Sequence, residues 1–244
     1  MMREKTNRHA PQRLTRRTLV ACFIVLAAVP AVILVGWRLE NQDCYLTSLA
    51  VIACALAPFL LSLDGRRPRA RELVVILALS ALAAVARAAF IWLPHFKPIT
   101  AIVIIAGIAF GAEAGFLTGT VSGFVSNFVF GQGPWTPWQM FAFGVAGFLA
   151  GFFFRKGWLK TTRPALSIFG AAIVLLVVGP LLDTCALATM PAAVAGQSAW
   201  QVYLSGLPVN AVHAAATVIT LLVAANPLLD KLTRIQEKYG LMEA

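Results

Sequence analysis

Few polar side chains interrupt the apolar stretches of this chain, and those that do suit recognition better than catalysis. Arg87 lies near the end of one apolar run and Asp183 near the corresponding end of another. An ionisable group inside a membrane span is costly and marks a functional site by default, although a long arginine can also extend to lipid headgroups. The two stand at comparable depth, where an Arg–carboxylate pair would neutralise both. Their spacing leaves open whether such a pair is structural or meets a ligand. Asn210 and His213 are three apart and share a helical face, which also suits hydrogen bonding to a neighbouring helix. Catalytic sets are hard to build from three His and ten acidic residues, and neither H-E-x-x-H nor G-x-S-x-G occurs. The cysteines Cys22, Cys44, Cys54 and Cys185 match no metal-ligand spacing. No metal, intrinsic cofactor or enzymatic activity is expected.

The densest group of candidates lies between residues 107 and 151. Gly115, Gly119 and Gly123 recur every four residues, Asn127 continues the spacing, and glycines return at 144, 147 and 151. That spacing places them on one helical face. In a bilayer, small residues on such a face let helix backbones approach closely. Between the two stripes runs Phe130-Gly131-Gln132-Gly133-Pro134-Trp135-Thr136-Pro137-Trp138-Gln139. Its prolines stiffen the loop. Trp135 and Trp138 fit an interfacial aromatic belt, yet with Gln132 and Gln139 they also supply apolar walls and amide donors for a ligand. A second short loop, Pro94-His95-Phe96-Lys97-Pro98, adds Phe96 and Lys97.

The elements that must position these residues are membrane helices. The chain has 244 residues, 59% of them hydrophobic and 12% charged, with a mean hydropathy of +0.80. Apolar runs near the ~20 residues that cross a bilayer occur at about 19–36, 46–63, 72–92, 98–111, 114–130, 137–154, 165–189 and 203–225, the fourth being short. With the amino terminus inside, seventeen of the twenty Lys and Arg fall in inner segments; Arg38 and Lys97 lie outside and Arg87 within a span. This is the inward excess of a polytopic membrane protein. The net charge of +10 therefore reports topology and attraction to lipid rather than nucleic-acid binding. The expectation is an all-α helix bundle of about eight spans with both termini inside. Arg87, Lys97, Asn127, Gln132, Gln139, Asp183, Asn210 and His213 then share the outer half, with Phe96, Trp135 and Trp138 as apolar walls.

By composition the chain divides into a basic arm (1–18), an accessory hairpin (19–63), a core (72–228) with polar and small residues inside its spans, and a cytoplasmic tail (229–244) read as a short charged helix. Ser80, Ala84 and Ala88 form a further small-residue stripe suited to packing within the bundle or against another membrane protein. No G-x-x-x-x-G-K-[ST] phosphate loop is present.

The stretch from Arg87 to Pro98, the glycine stripes, Ser126-Asn127 and the Gly-Pro-Trp-Thr-Pro-Trp string resemble the substrate-binding S components of energy-coupling factor (ECF) vitamin transporters. The closest likeness is to the subgroup associated with cobalamin. The resemblance implies a six-helix core that binds a vitamin from outside, in the cell membrane of a prokaryote. It implies a transmembrane coupling subunit and two cytoplasmic ATPases as partners, with docking on Ser80, Ala84 and Ala88. It also implies cobalamin or a related corrinoid as ligand. The accessory hairpin departs from that pattern. Another vitamin, a nucleobase-like nutrient, a stand-alone secondary transporter and a membrane scaffold are the alternatives.

Overall fold

Glycines and prolines divide the apolar sequence into helices at the points where the chain must reverse. The computed structural model describes residues 20, 23–38, 46, 49–54, 70–189 and 196–241. The basic arm, Cys22, Cys44, Arg38's side chain, nearly half of the hairpin and the last three residues of the tail lie outside them. Of the hairpin, a π-helical turn Ile24–Ala28 leads into helix α1 (Val29–Arg38), and residues 49–54 are helical.

The core comprises α2 (Ala70–Ala89), α3 (Ile99–Phe110), α4 (Ala112–Phe130), α5 (Thr136–Arg155), α6 (Arg163–Ile173), a π-helical segment (Val174–Val178), α7 (Gly179–Thr189) and α8 (Ala199–Tyr239). All regular structure among the described residues is helical, as expected. The unit α6–π–α7 is one apolar passage, Arg163–Thr189, so residues 70–239 make six passages. Pro180 supplies no N–H to the helix in this passage, and a π turn is a common accommodation where the regular ladder is interrupted. Four helices are long and apolar enough to cross a membrane by length and composition: α2, α5, the α6–α7 passage and α8.

Helix α3 is short for a physical reason. Its 12 residues rise about 18 Å, less than the ~30 Å hydrocarbon layer, and every residue but Ala109 is buried. It lies inside the bundle, where protein rather than lipid surrounds it. Gly111, at φ 103°, reverses the chain between α3 and α4 in a single residue. An L-residue rarely adopts this conformation.

Helices α3, α4 and α5 cross at backbone contact. A Cβ added to Gly115 would lie 2.5 Å from the Gly147 carbonyl oxygen and 2.7 Å from Gly107 Cα. One on Gly107, Gly119, Gly147 or Gly151 would likewise meet the backbone of a facing segment. The small-residue spacing seen in the sequence is therefore the crossing itself, joined from α3 by Gly107. Large apolar side chains such as Leu176, Val223, Ile168, Phe128, Val85 and Val74 point outward, the surface expected of a protein solvated by lipid.

The tail differs from its expectation as a separate helix. Helix α8 runs unbroken for 41 residues through Pro208 and Pro227, about 60 Å at 1.5 Å per residue. Pro227 removes one hydrogen bond, but Leu228 and Leu229 pack on the core and Leu232 is buried. Gln236 Nε2 then donates to the Ala109 carbonyl at the end of α3 (3.0 Å). Packing on both sides of the proline keeps the helix continuous through it.

The passages alternate in direction. Arg71 lies over the Tyr239 ring (5.5 Å), and Gln236 reaches Ala109. These contacts gather the first turn of α2 and the ends of α3 and α8 at one end, where basic residues concentrate. Arg87, Asn127 and Gln139 meet at the other end.

Candidate functional site

The end of the bundle opposite the basic one holds a buried cation surrounded by amides and hydroxyls. Arg87, in the last turn of α2, is 4% exposed. Its Nη1 donates to Ser126 Oγ (2.5 Å) and to Asn127 Oδ1 (2.9 Å), and its Nη2 donates to Gln139 Oε1 (3.3 Å). Its guanidinium lies 4.4 Å from the centroid of the Phe130 ring and 5.8 Å from that of Phe143. One donor is left over: the buried Nε has no hydrogen-bond partner among the described residues. The buried Thr120 hydroxyl on α4 is in the same state.

Asn127 connects this cation to the loop. Its Nδ2 donates to Thr136 Oγ1 (3.1 Å), which donates in turn to Gln132 Oε1 (2.9 Å) and accepts from the Gly133 N–H (3.2 Å). Gln132 Nε2 donates to the Phe124 carbonyl (3.0 Å). Trp135 folds over its own loop, with Nε1 donating to the Gly131 carbonyl (3.3 Å) and its ring over Gly133. At Gly133 a side chain would collide with that ring. Trp138 is half-buried and packs against the core. The 131–139 loop is thus cross-braced, and its amides are largely engaged with one another.

Lys97 enters from the 94–98 loop. Its Nζ is 4.9 Å from the Phe130 centroid, so Phe130 carries both Lys97 and Arg87. Lys97 is half-buried, and that burial, with the nearby Arg87 charge, pushes its pKa down to about 8. Phe96 packs on Phe90, with ring centroids 5.0 Å apart.

Arg87 and Asp183 do not pair; each has other partners. Asp183 on α7 accepts from Asn210 Nδ2 on α8 (3.0 Å), and Gly206 makes room for its carboxylate. Thr184 and Tyr203 reinforce the same α7–α8 contact (2.8 Å between hydroxyls). His213 is buried, with Nε2 3.0 Å from Thr100 Oγ1 on α3. Its ring stands edge-on to Phe143 at 6.4 Å between centroids. Phe143 therefore borders both Arg87 and His213. The predicted residues resolve into an Arg87–Asn127–Gln139 group, an α7–α8 staple of Asp183 and Asn210, and His213 between them across Phe143.

Ser80 and Ala84 are buried and Ala88 is half-buried. The Ser80 hydroxyl donates to the Ile76 and Thr118 carbonyls (2.9 and 3.2 Å), which turns this stripe of α2 toward α4. Ser126, Thr136, Phe130 and Phe143 complete the outer group but were not singled out as site residues. Ser126 and Thr136 sit in the strings that carried the resemblance, and the two phenylalanines are hidden among sixteen. No group of three or more potential metal ligands occurs among the described residues.

A multi-pass helical membrane protein with a buried, amide-lined cation at one end is built to recognise a small molecule. The family described as ECF-type riboflavin transporter, S component, matches residues 69–234, more than half of the chain, and the chain belongs to that family. It is a substrate-binding subunit of a vitamin transporter, not an enzyme. The matched family is the riboflavin type, so it lends no support to the cobalamin subgroup suggested by the Gly-Pro-Trp-Thr-Pro-Trp string. No curated protein and no solved structure matches the chain. ECF S components work with a module of coupling and ATPase subunits.

Proposed function

We propose that this chain captures a vitamin from the outer side of a prokaryotic cell membrane and delivers it through a transmembrane coupling subunit driven by two cytoplasmic ATPases. The observation that carries this reading is the convergence of Arg87, Asn127 and Gln139 from three helices, with the buried Arg87 Nε left unsatisfied. An unpaired buried donor is costly, and a ligand acceptor would satisfy it. Arg87, Lys97, Asn127 and Gln139 are assigned to polar recognition, with Phe96, Trp135 and Trp138 as walls. Gln132 is assigned to holding the loop. Asp183, Asn210 and His213 are assigned to the far side of the same end of the bundle.

Riboflavin, the ligand in the family's description, is the first candidate. Cobalamin, suggested by the Gly-Pro-Trp-Thr-Pro-Trp string, is the second. For coupling-subunit docking, Ser80 and Ala84 would have to leave α4. Beyond its first residue, Ala78, Ala81 and Ala89 are the small positions that α2 presents outward, and docking is assigned to that side.

The test is mass spectrometry of ligand retained by gently purified protein, with calorimetric titration of riboflavin and cobalamin. Retention or sub-micromolar binding of a vitamin supports the reading. Uptake into liposomes by the chain alone would instead make it a stand-alone transporter.

A further inference from the structure

Two cations face one aromatic ring at the outer end of the bundle, and the described residues bring them no carboxylate. Arg87 spends Nη1 and Nη2 on neutral acceptors, Ser126, Asn127 and Gln139, and its Nε on none. Lys97 has its ammonium against the Phe130 ring, with no hydrogen bond or ion pair to a described residue. The one described carboxylate in the outer part of the neighbouring passages, Asp183, takes Asn210. At the basic end, by contrast, Arg155 and Glu113 are near enough to influence each other electrostatically.

A buried guanidinium without a counter-charge is expensive, because hydrogen bonds to neutral oxygens replace only part of its hydration. Two like charges bordering the same ring add repulsion. The described residues thus leave the compensating charge unsupplied, and a ligand can bring it. Guanidinium and ammonium together match an oxyanion, with the fork of one and the point charge of the other as donors.

We infer that Arg87 and Lys97 form an anion subsite, so that the transported ligand carries a carboxylate or phosphate seated between them beside Phe130. This rests on the S-component reading and narrows it. A neutral ligand such as riboflavin leaves the pair uncompensated, whereas a carboxylate vitamin or a phosphorylated one neutralises it. Phe130 then serves as the apolar floor on which both cations are held before the ligand arrives.

The test uses the full chain in lipid nanodiscs and pairs of ligands that differ in the anionic group: nicotinate and nicotinamide, pantothenate and panthenol, biotin and biotinamide, riboflavin 5′-phosphate and riboflavin. At least one anionic member should bind ten-fold or more tightly than its neutral partner. The carboxylate pairs and the phosphate pair distinguish the two kinds of anion. Lys97→Met removes a side chain that no described residue hydrogen-bonds, so it should fold normally. It should cut that preference at least five-fold, by weakening the anionic member more than the neutral one. Arg87→Lys retains a charge without the fork and should also reduce it. A neutral member that binds as tightly as its anion, or an anion preference unaltered in both variants, overturns the subsite and leaves the S-component reading intact. No binding by any member overturns the subsite, and the S-component reading falls with it only if cobalamin also fails to bind.

Discussion

Arg87 on α2 and Asn127 on α4 are joined by a 2.9 Å hydrogen bond from Nη1 to Oδ1, and through it the buried cation governs the loop. Asn127 holds the cation with its oxygen and the loop's Thr136 with its nitrogen. Both ends are buried. Asn127→Ala therefore removes one of two links between α2 and the start of α5, the other being Arg87 to Gln139, and leaves buried polar atoms short of a partner. The expected loss is about 1–3 kcal/mol of stability, with ligand affinity reduced ten-fold or more. Thermal unfolding in detergent and calorimetry on the same preparation measure the two effects. Unchanged affinity in a folded variant removes Asn127 from the binding site.

Trp135 makes a different kind of contribution. Its indole donates to Gly131 and covers Gly133 within the same loop, and only part of the side chain is exposed. Trp135→Ala should loosen the loop without unpacking the helices, so the melting temperature falls little. Ligand dissociation should accelerate more than association slows, because the loop's pre-ordering is lost. Stopped-flow measurement of both rates checks this; an effect confined to the association rate would count against a loop held ready over the ligand.

The stripe of small residues was legible because helical spacing of glycine in an apolar chain has few physical purposes. It gave α4 and α5, and the crossing lies where the spacing put it. The gathering of Arg87, Asn127 and Gln139 at the end opposite the basic one was legible too, because charge placement sets the alternation of the passages. Who pairs with whom was not. Depth alone cannot tell that Arg87 turns to α4 and α5 while Asp183 turns to α8, since depth says nothing of rotation about the helix axis. The same ambiguity hid the direction of Ser80 and Ala84, which a small-residue stripe leaves free to face either a neighbouring helix or a partner. The continuous α8 was obscured by Pro227, whose local cost is outweighed by Leu228, Leu229 and Leu232 packing beyond it.

Two glycine substitutions separate close approach from backbone conformation. At Gly115, a side chain would collide with the backbone of Gly147 and Gly107, which cannot move without parting the helices. Gly115→Val should cost about 1–3 kcal/mol or more and lower the yield of monodisperse protein. At Gly131, nothing lies within 4 Å of an added Cβ, but φ is 94°. Gly131→Ala should cost about 1 kcal/mol through backbone strain alone and leave helix packing intact. Fluorescence-detected size exclusion after a temperature ramp ranks the two; equal tolerance at both positions would contradict backbone contact at the crossing.

The last prediction concerns pH, and its sign follows from the position of Lys97. Burial, and then the neighbouring Arg87, lower its pKa from 10.5 to about 8 in the folded protein. A lowered pKa on a base means that the folded state binds its proton less tightly than the unfolded state does. The charged form therefore costs stability, fully so below about pH 8, and that cost is relieved as pH rises from about 8 toward 10.5. Ligand-free protein should accordingly gain thermal stability across that window, and Lys97→Met should flatten the gain. Binding of an anionic ligand should run the opposite way: affinity falls as pH rises through the window, because the ammonium that attracts the anion is lost. The Lys97→Met variant should bind the anion weakly and with little pH dependence there. Melting curves and titrations at pH 7, 8, 9 and 10 on both proteins check the two opposed slopes. Parallel slopes in wild type and variant would mean that some other group titrates.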